Sequence, residues 1–274
     1  MRSKPISPLK ESEESEKTPL SNQPKRRVVT ITTLCLAVVA AAFIFLGIDL
    51  WDVFMAFPAF GSFFVTRFMP PNLGAIPNNI NLIVDTIFFA VAGTGISSVL
   101  ALACGLLLSE KTNSIAWLRL TVRFTLSILR NVPVLVWASL LIFIFGIGSI
   151  VGLIAIIFAT LGFLARSYAE SMSEVAGEKI EALRAVGASK AQMIFHGILP
   201  EFIPAWVNWT LFTFEINLRA SAILGMVGAG GIGIVIQSNL RLFRYHNALA
   251  LIATLTAMIL LTEFLTNRLR GKVK

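Results

Sequence analysis

Long stretches of this 274-residue chain carry no charged side chain, among them 28–48, 86–109, 131–165, 202–214, 220–240 and 245–262. A helix that crosses a bilayer needs about 20 apolar residues, because each adds about 1.5 Å toward a hydrocarbon core about 30 Å thick. The chain is 56% hydrophobic and only 14% charged, with a mean hydropathy of +0.79. A soluble domain of this length needs far more polar surface, so the fold class is all-α, a polytopic membrane protein. The run at 131–165 is long enough for two spans, divided at the glycine-rich Gly146-Ile147-Gly148-Ser149. The fifth span admits two placements, about 203–226 or 220–240, and both keep the number at six.

The net charge of +8 and a pI near 9.9 would suit a nucleic-acid binder, but the placement of the charge argues otherwise. Nineteen of the 23 Lys and Arg residues fall in the N-terminal tail, in 111–130, in 166–190 and in 268–274. Only Arg67, Arg219, Arg241 and Arg244 are left for external or membrane positions. Positive residues favour the cytoplasmic side, so both termini are expected inside, in the bacterial cytoplasmic membrane. Residues 1–27, with Glu11, Glu13, Glu14 and Glu16 ahead of Lys25-Arg26-Arg27, form an expected disordered cytosolic tail; 28–270 form the membrane domain. The apolar run at 28–48 is long for a cleaved secretory signal and suits a span. Cys35 and Cys104 lie inside apolar runs and read as small packing residues. The segment 49–81 is expected as an external loop. Its FMPPNL sequence, Phe68 to Leu73, is either a stiff surface for a soluble delivery protein or a plain connector.

Between two long apolar runs lies a polar island, EALRAVGASKAQMIFHGILP, from Glu181 to Pro200. Its residues predict a helix continuing from near Glu170 to Val186, then Gly187 as the left-handed residue just past a helix end. Ser189 with Gln192 three positions on reads as a capping box. The second helix is expected to stop at Pro200, with Pro204 opposing a restart. The product is an exposed helical knob at about 170–200.

That knob resembles the coupling loop of ABC-importer permeases, whose pattern is Glu-Ala-Ala, three residues, Gly, nine residues, Ile, one residue, Leu-Pro. Glu181, Ala182, Gly187, Leu199 and Pro200 fall in register. Leu183 replaces the second Ala, and Gly197 stands where Ile is usual. The run Phe214 to Gly233, FEINLRASAILGMVGAGGIG, is similar to a segment of permeases for phosphonates and related phosphorus oxyanions; methionine permeases share its glycines. The resemblance covers about 65–270. It implies a type I importer membrane subunit that pairs with a second copy as a homodimer, binds two cytosolic ATPases and receives solute from an extracytoplasmic binding protein.

Within that run, Gly228, Gly230, Gly231 and Gly233 satisfy the G-x-G-x-x-G spacing of dinucleotide sites, but no soluble βαβ context or acid at the right distance follows. They read instead as a break in a helical region, for packing or as a hinge in the solute path. Glu215 and Arg219 stand four residues apart on one helix face and are expected to pair. Such a pair is either mutual neutralisation at a helix interface or, with Asn217, part of a gate. Arg219 would be the cation for an oxyanion. No P-loop occurs, so no nucleotide cofactor is expected and ATP hydrolysis is assigned to a partner chain. A channel or secondary transporter leaves the polar knob unexplained. A membrane enzyme lacks a cluster of nucleophile, base or metal ligands around His196 or His246.

Overall fold

The computed structural model describes residues 23–272, and those residues are almost wholly helical. The polar tail expected over 1–27 lies, as far as residue 22, outside the described residues. By its internal contacts the chain divides into a unit ending at Ser62 and a unit beginning at Phe63. The first unit holds α1 (Gln23–Phe45), whose Val29, Leu34 and Val38 are exposed as lipid-facing side chains would be.

The segment expected as an external loop is largely helix α2 (Leu50–Phe68). Phe54, Phe57, Phe60 and Phe64 recur every three or four residues, while Asp52 in the first turn and Arg67 in the last complement the helix dipole. The two prolines at 70 and 71 drew the sequence reading toward a loop, but they follow the helix rather than interrupt it. The FMPPNL turn is pinned to the chain's last helix: the Asn72 amide N–H donates to His246 O at 3.0 Å, and Asn72 Nδ2 to Asn247 Oδ1 at 2.8 Å.

Three long helices make the centre of the second unit: α3 (Ile80–Leu108), α6 (Ser149–Val175) and α9 (Leu199–Leu224). Small residues set their spacing. A Cβ on Gly93 would stand 2.7 Å from Ile156 Cγ2, and one on Gly105 3.1 Å from Tyr168 Cβ. The uncharged run at 86–109 thus lies within a central helix. Where the three meet, Tyr168 OH lies 2.9 Å from Ser98 Oγ and 2.7 Å from Thr210 Oγ1, and Trp206 Nε1 donates to Ser98 Oγ at 2.9 Å. Thr160 Oγ1 donates to Ser97 Oγ at 2.9 Å. Polar groups buried away from water need such partners, and here they hold helix to helix.

The run at 131–165 does not hold two full spans. Its first part is only α5 (Val134–Phe145), bent by 92° against α4 (Ala116–Asn131). Pro133 causes the bend. It has no N–H to give to the Leu129 carbonyl one turn back, and the Trp137 indole N–H takes that carbonyl instead, at 3.1 Å. α6 then runs past Arg166 and Glu170 to Val175. Among the described residues five helical stretches are long and apolar enough to cross a membrane, or six if the bent α4–α5 pair is one span. Of the two placements for the fifth span, α9 corresponds to the first. Its continuation, α10 (Ile232–Arg241), is about 15 Å long and too short to cross. α11 (Tyr245–Lys272) closes the fold and packs on α9 and α10.

Candidate coupling knob and membrane break

The polar island folds as a knob between α6 and α9. The helix expected from Glu170 to Val186 is in fact broken at Ala176-Gly177, where α6 ends and α7 (Glu178–Ala185) begins. Gly187 has φ +81°, the left-handed conformation expected of it, and a Cβ there would meet nothing within 4 Å. The Ala188 N–H reaches back to Leu183 O at 3.0 Å and the Gly187 N–H to Arg184 O at 3.1 Å, the paired bonds of a Schellman turn. Ser189 then caps α8 (Lys190–Gln192): its hydroxyl accepts from the Gln192 N–H at 3.4 Å, and Gln192 Oε1 accepts from the Ser189 N–H at 2.8 Å. The capping box is present as the sequence implies.

The end of the knob differs from expectation. The chain does not stop at Pro200 but passes through a wide π-type turn, Met193–Ile198, straight into α9. A proline in the first turn of a helix lacks only an N–H that has no intrahelical acceptor, so Pro200 opens α9 rather than ending α8. Pro204 is carried inside α9.

Glu181, Ala182 and Gly187 are exposed, Leu199 is half-buried and Pro200 is exposed. Val186 and Phe195, at 81% and 64% exposure, give the knob an apolar patch that the sequence reading did not single out. Val186 immediately before Gly187, and Phe195 within the otherwise polar island, were the available signal. Beneath the patch, Ile180, Ile198 and Phe202 join the core built by Tyr168 and Met172. Lys190 Nζ donates to Ser114 Oγ at 2.7 Å, tying the knob to the turn before α4.

The second group of candidate residues does not converge. Glu215 pairs with Arg270, not with Arg219: Arg270 Nη2 donates to Glu215 Oε1 at 2.6 Å, and Thr266 Oγ1 also donates to it. Glu215 is 8% exposed and faces α11, which the sequence spacing of a single helix had no means to reveal. Arg219 instead stands 4.0 Å from Glu263, with its side chain half exposed. Asn217, 1% exposed, turns toward α3 and donates Nδ2 to Thr94 Oγ1 at 2.9 Å, while its Oδ1 has no hydrogen-bond partner among the described residues. Of these three neighbours on one helix, Glu215 and Arg219 thus meet different turns of α11 and Asn217 meets α3. Arg270 lies in the last turn of α11, so that end of α11 packs beside the second half of α9.

The glycine run makes a sharp break. Gly228, Gly230 and Gly231 have φ of +101°, +91° and +74°, and α10 folds back against α9. Gly233 is required for packing: a Cβ there would lie 1.9 Å from Ala222 O. Thr86 of α3 stitches the break, its hydroxyl accepting the Ile232 N–H at 2.8 Å while its carbonyl accepts from Ser221 Oγ at 3.3 Å.

Known proteins share this architecture. The family described as binding-protein-dependent transport system inner membrane component matches residues 97–274. The phosphite transport system permease protein PtxC of Stutzerimonas stutzeri is 31% identical over 206 residues, 75% of this chain and 75% of PtxC. The phosphate-import permease protein PhnE of Mycolicibacterium smegmatis is 31% identical over 235 residues, 85% of this chain and 44% of PhnE. The inward-facing MetNI methionine ABC transporter contains a chain with a TM-score of 0.58 at 25% identity, covering 70% of this chain and 96% of that one. With the family model matching residues 97–274, this chain belongs to the binding-protein-dependent transport system inner membrane components.

Proposed function

We propose that this chain is the membrane permease of an ATP-driven importer for a phosphorus oxyanion, phosphite or a phosphonate. The observation that carries the mechanism is the exposed knob set rigidly on the central core. A Schellman turn and a capping box fix its shape, Ile180 and Ile198 seat it, and Glu181, Ala182, Gly187, Val186 and Phe195 form the face offered to a cytosolic ATPase. Closure of two ATPase subunits on ATP pushes the knobs of two permease copies, and the helices rooted in them reorient. Residues Leu199 and Pro200 are where that push enters α9. An extracytoplasmic binding protein delivers the solute to the opposite end. Arg219, half exposed and only loosely engaged by Glu263, is the cation with guanidinium donors free for an oxyanion. The Gly228–Gly233 break with its positive φ angles is the segment shaped to border the path. Both termini then lie in the cytosol.

The substrate class rests on the relatives named for phosphite and phosphate, which align over three quarters or more of this chain. The methionine transporter shares the fold at lower identity. Uptake of labelled phosphite, a phosphonate and methionine should be measured in cells expressing this permease with its ATPase and binding protein. Phosphorus-compound uptake that depends on the permease supports the reading. Methionine uptake alone overturns the substrate.

A further inference from the structure

A cavity of about 580 Å³ opens between the end of α3, the second half of α4 and the second half of α6, on the side of the molecule that carries the knob. That volume lies within the range of small-molecule sites, about 300–1,000 Å³. Six charged side chains line it, and their pairing decides what it can hold. Glu170 is taken by Arg166 at 2.8 Å, and Glu110 by Arg119 at 3.5 Å. Arg123, Arg130 and Glu174 are left with no partner among the described residues. Arg123, Ser127 and Arg130 recur at helical spacing along one face of α4 and look across at Glu174 on α6. The pattern is a two-arginine wall with a hydroxyl between, opposite one free carboxylate.

The other relevant face of α4 is apolar. Trp117, Leu120, Phe124 and Ile128 stand in a stripe and are 70%, 68%, 66% and 49% exposed. That stripe lies about 100° round the helix from the arginines. A basic face flanking an apolar face with a tryptophan is the arrangement of a helix at the lipid–water boundary. A ligand with a phosphate for the arginines, an ammonium for the carboxylate and acyl chains for the apolar stripe meets all three surfaces.

We infer that this cavity is a headgroup site for an amine-bearing phospholipid, with the phosphate on Arg123 and Arg130 and the ammonium on Glu174. Phosphatidylglycerol would leave Glu174 unmatched. The trimethylated amine of phosphatidylcholine has no N–H to donate. The phosphate chemistry alone would also admit a free anion from the cytosol, so the test must separate the two sources.

Native mass spectrometry of the full-length permease, purified with its ATPase, measures retention of added phosphatidylethanolamine, phosphatidylglycerol, phosphatidylcholine and inorganic phosphate. The expected result is preferential retention of phosphatidylethanolamine, weakened about tenfold in Arg123→Gln/Arg130→Gln, as loss of charge-assisted hydrogen bonds implies. Glu174→Gln should abolish the preference over phosphatidylglycerol while leaving lipid bound. Undiminished retention in the double variant, or an unchanged preference in Glu174→Gln, overturns the site. So does inorganic phosphate displacing the lipid at equal concentration, which would make it a free-anion site. If the double variant fails to fold, Glu174→Gln decides alone, because it leaves the arginine wall intact. The readout is bound lipid rather than transport, so its failure leaves the solute assignment untouched.

Discussion

Leu183 and Gly197 are where the knob departs from the coupling-loop pattern, and they touch. A Cβ on Gly197 would stand 3.0 Å from Leu183 Cδ1, so a larger residue at one position is matched by a smaller one at the other. The two departures, which looked independent in the sequence, are one volume exchange across the Schellman turn. Gly197→Ile alone should destabilise the knob by about 1–3 kcal/mol, and adding Leu183→Ala should recover at least about 1 kcal/mol of it. Thermal unfolding of the four-member cycle in detergent checks this; strictly additive effects would show that the residues do not share the space. Gly187 carries a different constraint, one of backbone rather than room. No atom would meet a side chain there, but its φ of +81° costs a β-branched residue about 1–2 kcal/mol. Gly187→Val should keep ATP hydrolysis and lower uptake by about tenfold, and Gly187→Asn, which tolerates that conformation, should be milder. Normal uptake by a well-expressed Gly187→Val would remove the turn from the coupling mechanism.

Between helices, the ion pair that matters joins α9 to the last turn of α11. Glu215 and Arg270 are largely withdrawn from solvent, so removing either partner strands the other and costs about 3–5 kcal/mol, whereas the half-exposed Arg219 and Glu263 are worth less than about 1 kcal/mol. Glu215→Gln and Arg270→Gln should therefore reduce membrane abundance and thermal stability, and Arg219→Gln should not. Should Arg219→Gln also lower phosphite uptake at full abundance, its role is in the solute path. Equal instability of all three variants would contradict the observed pairing. The same comparison shows how far the sequence could be read. The Gly187 turn and the Ser189–Gln192 box were legible because they depend on local spacing, and the membrane-spanning helical class because it depends on hydropathy. Partner choice for Glu215 was not, since four-residue spacing lists what one helix offers and says nothing of a helix 55 residues later. The bend at Pro133 was likewise hidden inside an uncharged run, because hydropathy sees no difference between a straight span and one folded at a missing N–H. The helix Leu50–Phe68 was masked by its flanking charges and prolines.

At the scale of the whole chain, six spans with both ends in the cytosol are the expected topology, and labels can read it. Tags at residue 15 and after the last residue should be reached only from the cytosol, and a cysteine introduced near Asn72 only from outside. Opposite exposure of the two ends would rule out six spans. The fold also restricts which parts are able to slide. Thr86 belongs to α3, yet its hydroxyl ends the N-terminus of α10 and its carbonyl holds Ser221 of α9. Hydrogen bonds weaken steeply beyond their normal length and angle, so a shear of about 1 Å between any two of these helices would lose a bond between buried groups. Gly233 against Ala222 O, closer than any side chain permits, locks the same region a second time. One threonine thereby makes three helices a single casting. Whatever opens and closes in this protein must run along the seams around that casting, such as the bend at Pro133, rather than through its middle.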